Sequence, residues 1–323
     1  MPDTKVRDML NIFYKVNGKI LVSQSETDFA SIKRESVLWI DLLAPSGEEK
    51  HATEAFLGTD IQTRAQAEEI ESSSRFRETD KVIFANTNFL MPGPEEYTEE
   101  AVSFTLVGNT LTTLREVPLR SFTELQRRIE AMPKQYTSGY AIFATIMDQR
   151  VDLDADMIEL MSKEISQYSR RINQKEDINE EFLLDINQLQ ENTMIIRENV
   201  VDKQRLISNL LKSNKYPKDL EPRFNVLLQD IASLISHANF SFERLEYLQD
   251  TVVGLINLEQ NSIMKIFTLV SLLLMPPTLV ASFYGMNVKL PLAGLPWAWL
   301  VIVGVMILSL VIILFVFIRR KML

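Results

Sequence analysis

The 323-residue chain has no cysteine. Disulfides and thiolate metal sites are therefore excluded. Histidine is nearly as scarce, and His51 and His237 lie too far apart to give a zinc-ligand spacing. No GxxxxGK[ST] phosphate loop occurs, so ATP-driven pumping has no support. No nucleophile–base pair or metal-ligand cluster stands out, and an enzyme is not expected. The N-terminal MPDTKVRDMLNIFYKV lacks the basic-then-apolar order of a signal peptide. Acidic residues are missing from one end only: none follows Glu259. Residues 1–262 hold all 43 acids and 29 of the 34 bases, a net charge of −14. So acidic a part does not suit nucleic acid. It suits cations or simply confers solubility.

The richest stretch is Ile263 to Asn287, IMKIFTLVSLLLMPPTLVASFYGMN. Ile266 to Phe283 gives 18 uncharged residues, enough for a helix to cross a hydrocarbon core of about 30 Å. Within it Asn261, Met264, Thr268, Ser271, Met275, Thr278, Ser282 and Gly285 recur at alternating steps of three and four. That spacing keeps them on one helix face. The face is small, hydroxylic or polarizable, whereas the rest is Leu, Ile, Val and Phe. In a membrane such a stripe wants neighbouring helices or water. Pro276 and Pro277 lie inside the run. Each lacks an N–H, so the carbonyls of Leu272 and Leu273 lose helical partners, giving a kink or a hinge near Met275.

A second apolar run starts near Pro296, and Leu300 to Ile318 is uncharged. Trp297 and Trp299 stand where an interfacial belt belongs. Its only small or polar breaks are Gly304 and Ser309, so it should face lipid. Arg319, Arg320 and Lys321 follow directly, which places the C-terminus in the cytoplasm. Two spans then bring residues 1–262 to the same side.

Earlier in the chain, residues 9–16, 37–43, 81–90, 101–107 and 110–115 read as strands. Gly108-Asn109 marks a tight hairpin. Ser46 caps a helix over 47–57, and Thr63–Ser72 reads as another, bearing Glu68, Glu69 and Glu71. No strand is expected after Leu119. Ser138 to about Arg171 and Ile178 to Leu211 read as an antiparallel helical hairpin with an acidic junction. From Arg223 one helical pattern runs without interruption into the first apolar run, as a coiled-coil stalk would. Stepped backwards, the membrane stripe picks out Asn257, Gly254, Asp250, Tyr247, Glu243 and Phe240. Carboxylates there are costly unless water or cations fill the bundle.

Two helices cannot enclose water, so several copies are needed, with first spans inside and second spans outside. Such a pore would need no energy source for cation entry. A divalent ion gains about 4.6 kcal/mol per 100 mV of inside-negative potential. A ring of amides and hydroxyls can hold a hydrated Mg²⁺ through its waters.

Tyr284-Gly285-Met286-Asn287 ends the first of the two C-terminal spans, after Asn261-Ser-Ile-Met-Lys265 and Met275-Pro276. With the short loop and basic tail, this arrangement resembles the CorA family of magnesium channels. The likeness extends to the Trp39-Ile40-Asp41 strand, Glu68-Glu69-Ile70 and Phe224. It implies an α+β cytoplasmic domain (1–135), a helical hairpin (136–222), a stalk helix (223–262) and two transmembrane helices (263–323), in a funnel-shaped homopentamer of the cell's inner membrane. It also implies that Asn261, Phe267, Thr268, Ser271, Met275, Thr278, Gly285, Met286 and Asn287 are pore and selectivity residues. Gly285 would let the helix end turn back. The family's regulatory Mg²⁺ site pairs a stalk Asp with an acid of a neighbouring domain. Val226 holds the stalk position here, leaving Glu69, Asp230 and Asp250 as candidate acids. The loop between the spans also departs from the family: Val288-Lys289-Leu290-Pro291-Leu292 has no acid.

The expected function is a passive, gated channel for Mg²⁺, with Co²⁺ or Ni²⁺ as minor ions. The expected partners are the bilayer, divalent ions and further copies of the chain, with no nucleic acid. Two alternatives remain at this point. One is a Zn²⁺ transporter of the same superfamily, proton-coupled or not. The other is a membrane-anchored structural or sensing protein in which the stripe only packs helices.

Overall fold

A computed structural model describes residues 9–62, 75–93, 97–174, 178–286 and 296–319. Seven strands form one sheet in the order β2-β1-β3-β7-β6-β5-β4. They are β1 (Met9–Val16), β2 (Lys19–Ser23), β3 (Val37–Leu43), β4 (Phe76–Glu78), β5 (Val82–Pro92), β6 (Tyr97–Val107) and β7 (Thr110–Arg115). All neighbours are antiparallel except β3 and β7, which pair in parallel with Trp39 opposite Leu111 and Asp41 opposite Thr113. That pair is the centre of the sheet, and every residue of β3 is buried. A strand covered on both faces reads as a near-continuous apolar run, as VLWIDLL does. Its exception, Asp41, is fully satisfied. Arg115 Nη2 donates to its Oδ2 at 2.8 Å, Thr113 Oγ1 to Oδ1 at 2.9 Å and Gln126 Nε2 to Oδ2 at 3.2 Å.

Local chemistry explains the turns and ends. Asn17 and Gly18 both have positive φ (51° and 83°), the conformation that Asn-Gly supplies to a two-residue hairpin. Helix α1 (Gly47–Leu57) opens with a capping box: Ser46 Oγ accepts from Glu49 N, and Glu49 Oε2 accepts from Ser46 N. Helix α2 (Arg120–Ala131) buries Ser121, Phe122, Leu125 and Ile129 along one face. The expected helix over Thr63–Ser72 lies outside the described residues.

Helices α3 (Gly139–Gln174) and α4 (Glu180–Lys212) are the expected antiparallel pair. Gly139 marks where α3 meets the sheet. A Cβ there would lie 2.4 Å from Leu111 N, and Gly139 N donates to Asn109 O at 2.8 Å. Asn179 caps α4 by accepting from Phe182 N at 2.9 Å. Aromatic rings join sheet to helices: Phe13 stacks on Trp39 at 4.6 Å, Phe104 meets Phe143 edge-on at 5.1 Å, and Phe143 approaches Phe224 at 6.4 Å. Phe224 sits near the start of α5 (Glu221–Tyr284), a single helix of 64 residues. Pro222 falls in its first turn, where a missing N–H costs nothing. The helix therefore starts two residues before the expected Arg223.

The chain divides into two compact units, Met1–Gln249 and Asp250–Leu323. In the first, α5 is tied to the hairpin. Arg197 Nε donates to Asn239 Oδ1 at 2.6 Å, Arg244 Nη2 to Ser166 Oγ at 3.3 Å and Gln249 Nε2 to Asn187 Oδ1 at 2.9 Å. The second unit holds the rest of α5 and helix α6 (Ala298–Arg319). Both α5 and α6 are long and apolar enough to cross a membrane, with mean hydropathies of 1.9 and 3.4 over their most apolar windows.

Candidate functional site

The stripe from Asn261 to Gly285 lies on continuous helix, and α5 runs through Pro276 and Pro277 to Tyr284. Asn261, Met264, Thr268, Ser271, Met275 and Thr278 are all exposed in the single chain. Two hydroxyls of the stripe are oriented by their own helix. Thr268 Oγ1 donates to Met264 O and Thr278 Oγ1 to Leu274 O, each at 2.7 Å. Each hydroxyl thereby spends its only proton on the backbone. What it offers beyond the helix is an acceptor oxygen, the polarity that a cation or a cation's water can use. Phe267, 65% exposed, stands one position off the stripe, beside Thr268.

At the end of α5, Gly285 N donates to Ala281 O at 2.9 Å and Met286 N to Phe283 O at 3.4 Å. Gly285 does not adopt positive φ. The helix continues its own hydrogen bonding there. A Cβ on Gly285 would lie 3.1 Å from Ala281 O, the carbonyl that Gly285 N already bonds. Asn287 lies outside the described residues, as does the following loop.

Helix α6 offers no comparable stripe. Its one hydroxyl, Ser309 Oγ, donates to Met306 O at 2.7 Å, and Leu300, Ile307, Leu308, Phe315 and Ile318 are exposed. Such a surface suits lipid.

Glu69 lies outside the described residues. Asp230 lines a cleft of about 410 Å³ with Asp148, Asp152, Pro222, Arg223 and Val226. Arg223 already occupies it as an internal cation, with Nε donating to Asp148 Oδ2 at 2.8 Å and Nη2 to Thr145 Oγ1 at 2.9 Å. Burial raises the Asp148 pKa. Arg223 opposes that rise, while Asp152 and Asp230 add to it. Asp250 is exposed further along α5. Among the described residues no three His, Asp or Glu side chains converge to hold a metal.

Sequence reasoning missed one charged centre. Lys203 and Asp154 are fully buried 2.9 Å apart, and Arg150 Nε donates to Asp154 Oδ1 at 2.9 Å. Asn199, which also accepts from Lys203, donates to Asn88 O of β5 at 2.9 Å. Burial lowers the Lys203 pKa to about 8, against the pull of Asp154 and with the push of Arg150. The centre ties α3, α4 and the sheet together. The cue available in sequence was Arg150 and Asp154 at i,i+4 on a helix, but Lys203 lies on another element.

The CorA-like Mg²⁺ transporter protein family model matches residues 34–320. A magnesium transport protein CorA from Campylobacter jejuni (strain RM1221) is 35% identical over 298 residues, 88% of this chain and 91% of that one. The structure of the CorA magnesium transporter from Methanocaldococcus jannaschii superposes with TM-score 0.78 at 17% identity, covering 96% of this chain and 98% of that one. The cytoplasmic domain of ZntB from Vibrio parahaemolyticus superposes with TM-score 0.58 at 15% identity, covering 77% and 98%. At these identities the two structures establish the fold alone.

Proposed function

This chain belongs to the CorA family of Mg²⁺ transporter proteins, and we propose that it conducts hydrated Mg²⁺ passively into the cytoplasm. The observation that carries this reading is the exposed stripe of Asn261, Thr268, Ser271, Met275 and Thr278 on an apolar helix. Hydroxyls turned into acceptors fit a hydrated divalent cation, which gives up its water reluctantly. Several copies, five by analogy with the family, would set this stripe around an axial water path with α6 outside. Met275 supplies a ring that closes by dewetting. Gly285, Met286 and Asn287 form the mouth, where the Asn287 amides receive the ion in its water shell. Phe267 lies at the family's apolar constriction.

The basic tail after α6 supports an orientation with both termini in the cytoplasm of an inner-membrane protein. The membrane potential alone drives entry. Cytoplasmic Mg²⁺ would regulate the channel through the acidic soluble part, with Glu69, Asp230 and Asp250 as the candidate acids contributed by neighbouring copies.

Mg²⁺ uptake into proteoliposomes under an inside-negative potential tests the transport reading. The wild type should carry Mg²⁺, and Asn287→Ala should lower uptake by about a hundredfold if the mouth contributes roughly 2.7 kcal/mol to recognition. Uptake that is unchanged by Asn287→Ala would overturn the assigned mouth. Parallel uptake of Zn²⁺, with and without a pH gradient, separates a Mg²⁺ channel from a proton-coupled Zn²⁺ transporter.

A further inference from the structure

Three charged side chains meet in the core where α3 and α4 pack on the sheet. Lys203 and Asp154 are 0% exposed and Arg150 is 3% exposed. Lys203 Nζ lies 2.9 Å from Asp154 Oδ2, while Arg150 Nε and Nη2 donate to Asp154 Oδ1 at 2.9 and 2.5 Å. Two cations thus share one carboxylate, and the fully ionised centre carries one positive charge too many. An unmatched charge so far from water is costly. A guanidinium does not give up its proton, but a lysine ammonium can. Without that proton Asp154 and Arg150 are a neutral pair, and the Lys203 amine keeps N–H groups for its oxygen partners.

The surroundings do not cancel the excess. Asp202, next to Lys203 in the chain, is engaged elsewhere: Arg75 Nη1 lies 2.5 Å and Arg205 Nη1 3.5 Å from its carboxylate, with Glu99 also near it. From β5 the centre meets only groups that do not titrate. The Phe89 ring lies 5.3 Å from the Arg150 guanidinium, and the Asn88 carbonyl accepts from Asn199 Nδ2 at 2.9 Å. Lys203 in turn donates to Asn199 Oδ1, so the lysine is wired to the contact that holds α4 on β5. Asn192 Oδ1, further along α4, accepts from Tyr97 N of β6 at 3.4 Å. The same helix bonds α5 through Arg197 to Asn239 and Asn187 to Gln249. Helix α4 therefore links the sheet to the helix that enters the apolar unit.

We infer that Lys203, Asp154 and Arg150 form a proton-operated latch that fastens α4 to the sheet. With the lysine neutral, α4 sits down on β5. With it charged, α4 lifts locally and the ammonium reaches water. In the seated form burial outweighs the pull of Asp154 and lowers the Lys203 pKa to about 8, whereas a hydrated lysine titrates at its ordinary 10.5. Between these values each opening takes up a proton, so opening becomes rarer as pH rises. Below about pH 8 both forms are charged, and the latch stays at its loosest.

Amide hydrogen exchange of the full-length protein, read by mass spectrometry and corrected for the intrinsic pH dependence of exchange, tests the latch. Protection of the α4 amides around Lys203 should rise by about tenfold per pH unit from pH 8 to 10. In Lys203→Met and in Lys203→Arg, neither of which can shed a proton there, that rise should be lost. The second variant keeps the charge and serves if the first does not fold. Low concentrations of guanidinium chloride should leave α4 exchange unchanged, the mark of a local opening, while the fully buried β3 exchanges faster as global unfolding is promoted. Protection of α4 that is flat from pH 8 to 10 in the wild type overturns the latch. So does a rise that persists in both variants, or α4 exchange that follows β3 in its response to denaturant.

Discussion

The soluble unit and the apolar unit treat polar groups in opposite ways. In the first, charges buried deep in the core are matched within the chain: Asp41 by Arg115, and Asp154 by Arg150 and Lys203. In the second, no acid follows Glu259, and the hydroxyls of Thr268, Thr278 and Ser309 donate only to their own helices. Buried charges are costly unless paired, so the soluble unit pairs them. Oxygens on α5 are left open to whatever lies beyond the helix. The difference separates residues that hold the fold from residues that serve a ligand.

The largest expected effect breaks the contrast from the soluble side. Asp41→Ala leaves Arg115 buried without its carboxylate and should destabilise the soluble unit by about 3–5 kcal/mol. Chemical unfolding followed by circular dichroism checks this, and Mg²⁺ uptake should fall only with the loss of folded protein. A loss under 1 kcal/mol would show that the pair is not needed for the fold.

Ser271→Leu works from the other side. It should leave the unfolding of the soluble unit unchanged and lower Mg²⁺ uptake by about tenfold, because a larger apolar ring favours dewetting. Ser309→Leu on α6 should change neither. Equal effects of the two serine substitutions on uptake would erase the distinction between the spans.

The smallest effect sharpens the contrast through pH. The folded pKa of Lys203 is lowered by burial to about 8 from its ordinary value of 10.5. Between those values the unfolded chain binds more protons at this site than the folded one. Stability from Lys203 therefore rises as pH increases from about 8. Tyr140 and Tyr168, raised to about 12 from 10.0, act oppositely above pH 10. The unfolded chain loses those protons first, so stability falls there. Stability of the soluble unit should thus climb between pH 8 and 10. In Lys203→Met the climb should vanish, as unfolding curves at matched ionic strength would reveal.

Much of the architecture was legible because its signals are local. Ser46 and Glu49 announce α1, Gly108-Asn109 the β6–β7 hairpin, and the alternating three- and four-residue steps the polar stripe. Some local signals were present and overlooked. Asn17-Gly18 announces the β1–β2 hairpin, and Phe122, Leu125 and Ile129 announce α2. The three residues of β4 are too few to show an alternation. The cleft of Asp148, Asp152, Arg223 and Asp230 joins the two ends of a long connection, and no periodicity reports that.

By itself the sequence determined the two apolar helices, the stripe along the first and the acidic character of the remainder. Each is a matter of composition or spacing along one element, and helical geometry converts spacing into a face. Only the tertiary structure decided which charges neutralise one another. Asp41 and Arg115 lie 74 residues apart, and a Coulomb interaction depends on distance in space, which the chain sets only when the sheet closes.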